Sequence, residues 1–130
     1  MTTWTSDELN KIGKAEVLRI ASLRRDGTLR NPVPIWVVRL DDDLYVRSVN
    51  GRDSAWFRGV QVRHEGHIQA GGLEKDVTFV EQAVGDEALH NWIDAAYRTK
   101  YGYPSSAVSH ITSAAARAAT IKLVPRSTTP

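Results

Sequence analysis

The sequence predicts one mainly β domain with helices (α+β), in which six strands curl into an antiparallel barrel. Three observations carry this: a length of 130 residues, short apolar segments separated by glycine and aspartate turns, and no long crossovers between those segments. A chain of this length buries roughly two-thirds of its unfolded surface, so one hydrophobic core suffices. Its 42% hydrophobic and 25% charged residues fit a packed protein, because disorder needs fewer apolar residues and a larger net charge. No repeat or linker divides the chain, so 1–130 is expected to be a single domain with 126–130 as a frayed tail. Closure into a barrel removes the exposed edges that an open sheet would keep.

Taken in order, Thr5 and Glu8 have the spacing of a capping box, and Trp4 with Leu9 that of a hydrophobic staple. A short helix is expected to end near Gly13. Val17, Leu18, Ile20 and Leu23 give a strand over 16–24, and Asp26-Gly27 reverses it. Residues 33–40 form the second strand, with Pro32 and Pro34 confined by their missing N–H groups to its edge or beginning. Asp41-Asp42-Asp43 turns the chain into a third strand over 44–49; these acids lack the ligand spacing of a calcium loop and solvate the turn. Asn50-Gly51-Arg52 is a turn, after which Asp53 or Ser54 caps a short helix with Trp56, Phe57 and Val60 on one side. Strands over 63–70 and 77–84 follow, joined by a loop over 71–76.

From Asp86, the residues Leu89, Trp92, Ile93, Ala96 and Tyr97 repeat at helical spacing. That face is expected to pack on the sheet, and the helix to stop at Gly102 before Pro104. Ser105 or Ser106 caps an alanine-rich helix to about Ala119, and 120–124 alternates like a closing strand.

Several chemistries are excluded by what is missing. No cysteine is present, which removes disulfides, thiolate catalysis and sulfur-ligated metals. No nucleophile elbow, dinucleotide fingerprint or phosphate-loop motif occurs. With no apolar run long enough for a membrane span and a polar start, the expected compartment is the cytoplasm, with no membrane partner. A net charge of +2 is too small to argue for nucleic acid, although Arg47, Arg52, Arg58 and Arg63 make one stretch locally cationic. His64 and His67 stand three apart on an expected strand and would face opposite ways, so no metal site is expected. His90, Asp94 and Arg98, at successive spacings of four, read as a solvated or interface face of their helix.

The informative segment runs from Ser48 to Arg58. It joins a strand end, a glycine turn, hydroxyls, arginines and a helix start, where free N–H groups attract anions. Both a phosphate cradle and an ordinary strand–turn–helix with solvated arginines are consistent with these residues. Trp36 and Trp56 could line a pocket for a flat ring or serve the core.

Tyr45-Val46-Arg47-Ser48, then Gly51, then Ala55-Trp56-Phe57-Arg58 resembles the strand, glycine turn and aromatic helix of deazaflavin-dependent nitroreductase-like proteins, within the pyridoxamine-phosphate-oxidase-like split barrels. The stretch from Ile93 to Gly102 resembles a small uncharacterised bacterial family of the same class. The resemblance implies a six-stranded antiparallel split β-barrel, flavin-reductase-like, and a homodimer with FMN or a deazaflavin at its interface. It further implies a small-molecule substrate, with phosphates held at Ser48, Gly51, Arg52 and Ser54 and hydride chemistry supplied by the ring. Trp36 and Trp56 would line that site, and the Trp36 strand with the helix over 55–60 would supply the apolar dimer contact. The family's asparagines after the aromatic helix are replaced here by Arg58-Gly59-Val60-Gln61-Val62-Arg63, and the lysine common in its glycine turn is absent. A cofactor-free ligand-binding module is therefore the alternative.

Overall fold

The segment 33–40, which reads as one strand, is divided at Trp36 in the computed structural model, which describes residues 3–102 and 106–126. Its first part, β2 (Val33–Ile35), pairs antiparallel with β1 (Leu18–Ser22), and its second, β3 (Val37–Leu40), pairs with β4 (Asp43–Arg47). The sheet therefore has seven strands rather than the six expected. Completing it are β5 (Glu65–Ala70), β6 (Leu73–Glu81) and β7 (Thr120–Pro125), in the order β2-β1-β5-β6-β7-β4-β3. Both edges of the sheet are thus consecutive pieces of one segment, and the covalent chain closes the nearly complete barrel where hydrogen bonds do not. Pro34 sits in an edge strand, where its missing N–H costs no ladder bond.

The break is held by α3 (Glu87–Tyr101). Val37 N donates to Tyr101 Oη at 3.2 Å, and Lys100 Nζ donates to Val37 O and to Ala15 O, each at 2.6 Å. Side chains thereby take main-chain groups that the ladder has released, as buried polar groups require. Trp36 stacks on Tyr101 with ring centroids 4.0 Å apart.

Local signals in the sequence account for several ends. In α1 (Ser6–Lys14), Thr5 Oγ1 accepts from Glu8 N at 3.1 Å and Glu8 Oε1 accepts from Thr5 N at 2.9 Å, so the capping box is present. Trp4 also donates from Nε1 to Leu123 O at 3.0 Å, tying α1 to the last strand. Gly71 and Gly72 both have positive φ, +58° and +81°, which makes a two-residue hairpin and starts β6 at Leu73, earlier than expected. The helix after the turn, α2 (Ala55–Arg63), runs past Val60 and ends on His64 at φ +57°, which makes His64 a cap and not a strand residue. The alanine-rich helix is two pieces, α4 (Ser106–Ile111) and α5 (Ala114–Arg117), because Ser113 Oγ accepts from Ala116 N at 3.3 Å and starts a new helix. The expected cap at Ser105 and the tail over 127–130 lie outside the described residues.

Two apolar clusters result. Leu18, Ile20, Leu44, Val46, Phe57, Phe79 and Ile121 belong to the larger one, and Val38, Tyr45, Ile93, Tyr97 and Ile111 form the smaller one between sheet and α3. Every residue of β4 from Leu44 to Arg47 is buried, since the two faces of the strand serve different clusters.

The face of α3 differs from the expected one by a small rotation. Its buried residues are His90, Ile93, Asp94 and Tyr97, whereas Trp92 is 64% exposed. His90 and Asp94 are therefore interior and not a solvated ladder, and Arg47 is equally removed from the cationic surface, at 0% exposure. Arg47 meets Asp94 in an ion pair and donates from Nε to Thr120 Oγ1 at 2.9 Å and from Nη1 to Ile111 O at 3.2 Å. Its Nη2 lies 3.1 Å from His90 Nδ1. Because His90 Nε2 donates to Ala83 O at 2.9 Å, Nδ1 must be the acceptor, and the tautomer is fixed. Arg117 pairs with the second oxygen of Asp94 and donates to Asn91 Oδ1 at 2.8 Å.

Removing one partner of a buried pair leaves the other charge uncompensated, which costs about 3–5 kcal/mol. Asp94→Ala should lower the unfolding free energy by that amount in urea titration. Trp92→Ala, on the exposed side of the same helix, should change it by about 0.5 kcal/mol or less.

Candidate functional site

At the end of β4 the chain leaves the sheet in a tight turn. Ser48 N donates to Ala119 O at 3.1 Å, and Gly51 N donates back to Ser48 O at 3.0 Å. Gly51 has φ +72°, and a Cβ there would stand 3.3 Å from Ala115 Cβ, so both conformation and space select glycine. One 3-10 turn, Gly51–Asp53, then leads to Ser54, and Ser54, not Asp53, caps α2 by accepting from Phe57 N at 3.4 Å. Ser48 Oγ donates to Ser54 Oγ at 2.7 Å. The turn thus gathers Ser48, Gly51, Arg52 and Ser54, with Ser48 only 1% exposed.

Arg52 is already engaged. Its Nη1 donates to Ala118 O at 3.0 Å, its Nη2 pairs with Glu81 Oε1 at 3.2 Å, and the guanidinium carbon lies 5.1 Å from the centre of the Phe57 ring. Glu81 is shared with His64, whose Nε2 lies 2.9 Å from Oε2. Burial pushes the Glu81 carboxyl up, but the His64 hydrogen bond and the Arg52 charge outweigh it and hold it below the ordinary value of 4.5. An anion entering this turn would have to compete with Glu81 for Arg52.

The two tryptophans line different cavities. Trp36 walls an open cleft of about 310 Å³ with Pro34, Ile35, Arg47, Val49 and His110, mostly apolar in its lining. Val49 is 49% exposed and connects this cleft to the Ser48 turn. Trp56 lines a separate cavity of about 140 Å³. Sequence reasoning missed Val49 and His110. Val49 was hidden as the expected end of the third strand, which stops at Arg47, and His110 comes from a distant helix that no local spacing connects to Trp36.

The remaining histidine considered for metal, His67, bonds to Asp76 and Glu74 at 2.9 and 3.0 Å. Among the described residues no group of three or more His, Asp or Glu could hold a metal ion, and no helix is long and apolar enough to cross a membrane.

The family described as "Uncharacterized protein conserved in bacteria (DUF2255)" matches residues 8–123. No curated protein matches the chain. Among solved structures, a putative pyridoxamine 5'-phosphate oxidase from Listeria innocua is similar at 16% identity and a TM-score of 0.66, covering 92% of this chain and 90% of its own. HutZ, described as a heme storage protein from Vibrio cholerae, is similar at 12% identity and a TM-score of 0.69, with 94% and 90% covered. An F420-H2 dependent reductase, FDR-A, is similar at 22% identity and a TM-score of 0.59, with 84% and 93% covered. The antiparallel barrel is therefore that of the pyridoxamine-phosphate-oxidase-like split barrels, as the Tyr45 to Arg58 segment implied.

A carboxyl held below its unfolded value adds stability that is present above pH 4.5 and lost as pH falls through the folded value. Wild-type protein should lose melting temperature below about pH 4.5 by more than Glu81→Gln does, and the two curves should converge in strong acid. Arg52→Ala should cost at most about 1 kcal/mol, since half-exposed pairs contribute little.

Proposed function

The chain belongs to the uncharacterised bacterial family DUF2255, and we propose that it is a flavin- or deazaflavin-binding, oxidoreductase-like split barrel acting on a small molecule in the cytoplasm. The observation that carries this reading is the Trp36 cleft. Its volume of about 310 Å³ is at the lower end for ligand pockets, room for a flat ring system but not for a whole dinucleotide-sized cofactor. The cleft is open, apolar on most of its wall, and adjoins the Ser48 to Ser54 turn through Val49. A deazaflavin reductase of the same fold adds support.

The residues present fit the two ends of such a cofactor differently. The ring end fits as it stands, against Trp36, Ile35 and Val49. At the phosphate end, Arg52 would hold the anion in place of Glu81, with Gly51 giving the backbone close approach and Ser54 keeping the helix start fixed. Ser48 would act through Ser54, because its hydroxyl is buried. Trp56, on the other cavity, would support the helix rather than touch the ring. When bound, the ring supplies hydride transfer. The protein's own part is to orient it, exclude water from one face through Trp36, and balance phosphate charge through Arg52.

A homodimer belongs to this reading, since one chain supplies only an open cleft. Phe57, Gly59 and Val60 of α2 are buried within the chain itself, which leaves Ala55 and the half-buried Trp56 as that helix's share of the expected contact. Val49 and the rim of the Trp36 cleft add apolar surface beside the site. The second reading, a cofactor-free ligand-binding module, is favoured by the commitment of Arg52 to Glu81 and Ala118 O.

A thermal-shift screen with FMN, FAD, F420 and hemin separates these readings. FMN or F420 at a hundred times its Kd should stabilise the protein by about 2.7 kcal/mol. Val49→Asp should weaken that ligand about tenfold or more while leaving the ligand-free protein within about 0.5 kcal/mol. Arg52→Ala should weaken a phosphate-bearing ligand by about tenfold or more, the loss of a charge-assisted hydrogen bond. Light scattering should give twice the 14.4 kDa chain mass. A colourless monomer that ignores both flavin types rejects the cofactor reading and the dimer together.

A further inference from the structure

Two charges of one sign that share a single buried counter-charge leave an excess, and a low-dielectric interior screens it poorly. Arg47 and Arg117 stand in this relation to Asp94, which pairs with one through Oδ1 and with the other through Oδ2. No other group touching Arg47 carries a negative charge. His90 is neutral, with Nδ1 accepting from Arg47 and Nε2 donating to Ala83 O. Burial pushes the Tyr97 hydroxyl up, which keeps its proton in place. The cluster between β4 and α3 therefore holds one more positive charge than negative.

That excess lies behind the wall of the Trp36 cleft. Arg47 Nη1 donates to Ile111 O at 3.2 Å, and Ile111, His110 and Arg47 itself all belong to the lining. Arg47 is fully buried, and its three guanidinium nitrogens are taken by Thr120, Asp94, Ile111 and His90. It has no hydrogen bond left for a ligand. What reaches the cleft is its field, which low-dielectric walls focus. The rest of the lining does not cancel that field: its ionisable residues, Arg47 and His110, are both bases, and no acid lines it. Pro34, Ile35, Trp36 and Val49 supply the apolar wall for a ring.

We propose that the Trp36 cleft selects flat aromatic anions over neutral or cationic rings of the same shape, through the excess positive charge of the Arg47–Asp94–Arg117 cluster behind its wall. The ring covers the apolar wall, and because the cleft is open the charged end of the ligand keeps part of its water. A cationic ring meets the opposite conditions: it is repelled by the cluster and finds no carboxylate in the lining. This inference rests on the reading of the cleft as the ring site and on no particular cofactor.

Naphthoate, naphthamide and naphthylmethylammonium present one ring with three charges, and amide NMR titration of each reads both affinity and place. Naphthoate should bind about tenfold tighter than naphthamide, the cation weaker still, with shifts at Trp36, Val49 and His110. Arg117 lies outside the lining, so Arg117→Gln removes the excess charge without altering the wall, and should narrow the naphthoate preference to about threefold or less. Arg117→Lys should keep the preference, and so should Arg25→Gln, an equal change of net charge at an exposed turn. If Arg117→Gln does not fold, the order of the three ligands on the wild-type protein decides. Equal binding of naphthoate and naphthamide at the cleft, or an unchanged preference in folded Arg117→Gln, overturns this inference and leaves the cleft as a ring site. No shift at the cleft with any of the three overturns the ring site and the inference with it.

Discussion

A guanidinium taken fully out of water is tolerated only where all five of its N–H groups find acceptors, and for Arg47 those acceptors come from three other elements. Asp94 and His90 come from α3, the Ile111 carbonyl from the end of α4, and Thr120 from β7. Arg117 of α5 shares Asp94, so the last helical turn before β7 is bound to the same carboxylate. Burial works against the Arg47 charge, and the Asp94 hydrogen bond and charge work for it. Satisfying this one side chain fixes where α3 lies on the sheet and where the chain must return to begin β7. The turn at Ser48 follows that anchor directly, and Arg47 itself lines the Trp36 cleft.

What could be read from the sequence was what depends on near neighbours. The Thr5–Glu8 box, the Asp26-Gly27 turn and the existence of α3 are each decided within a few residues. The split barrel was legible from the Tyr45 to Arg58 segment by resemblance. Arg47 was not legible as interior, because alternation along β4 puts it on the face opposite Val46, which looks like solvent until α3 covers it. The signal that could have corrected this was the placement of Asp94 directly beside Ile93 and one turn before Tyr97, inside the apolar stripe. Choosing Trp92 as part of that stripe rotated the helix just far enough to hide it. The candidate site divided in the same way: the turn was local and legible, while the separation of Trp36 from Trp56 depends on which side of β2 each one meets.

The division at Trp36 also explains how a seven-stranded sheet this small avoids the usual hazard of exposed edges. Its outermost strands are β2 and β3, and one residue joins them. Lys100 and Tyr101 take main-chain groups at the joint, so α3 is both the cover of the outer cluster and the clasp of the barrel. Burial draws the Lys100 amine down to about 8 and pushes the Tyr101 hydroxyl up to about 12, as expected for polar ends held against apolar rings.

The position of β7 governs the order in which this molecule comes together. The last strand in the chain is not peripheral: it lies between β4 and β6 and pairs with both, and it receives the Trp4 indole from the opposite terminus. During synthesis the earlier strands emerge first, yet the β4–β3 hairpin has no hydrogen-bonded link to the β6–β5–β1–β2 portion until β7 arrives. Until then two strand edges stand open and the Arg47 guanidinium lacks Thr120. A nascent chain of this topology closes its barrel only once β7 has been made, and a translation product interrupted before β7 would present two unpaired edges to whatever protease or holding chaperone it meets.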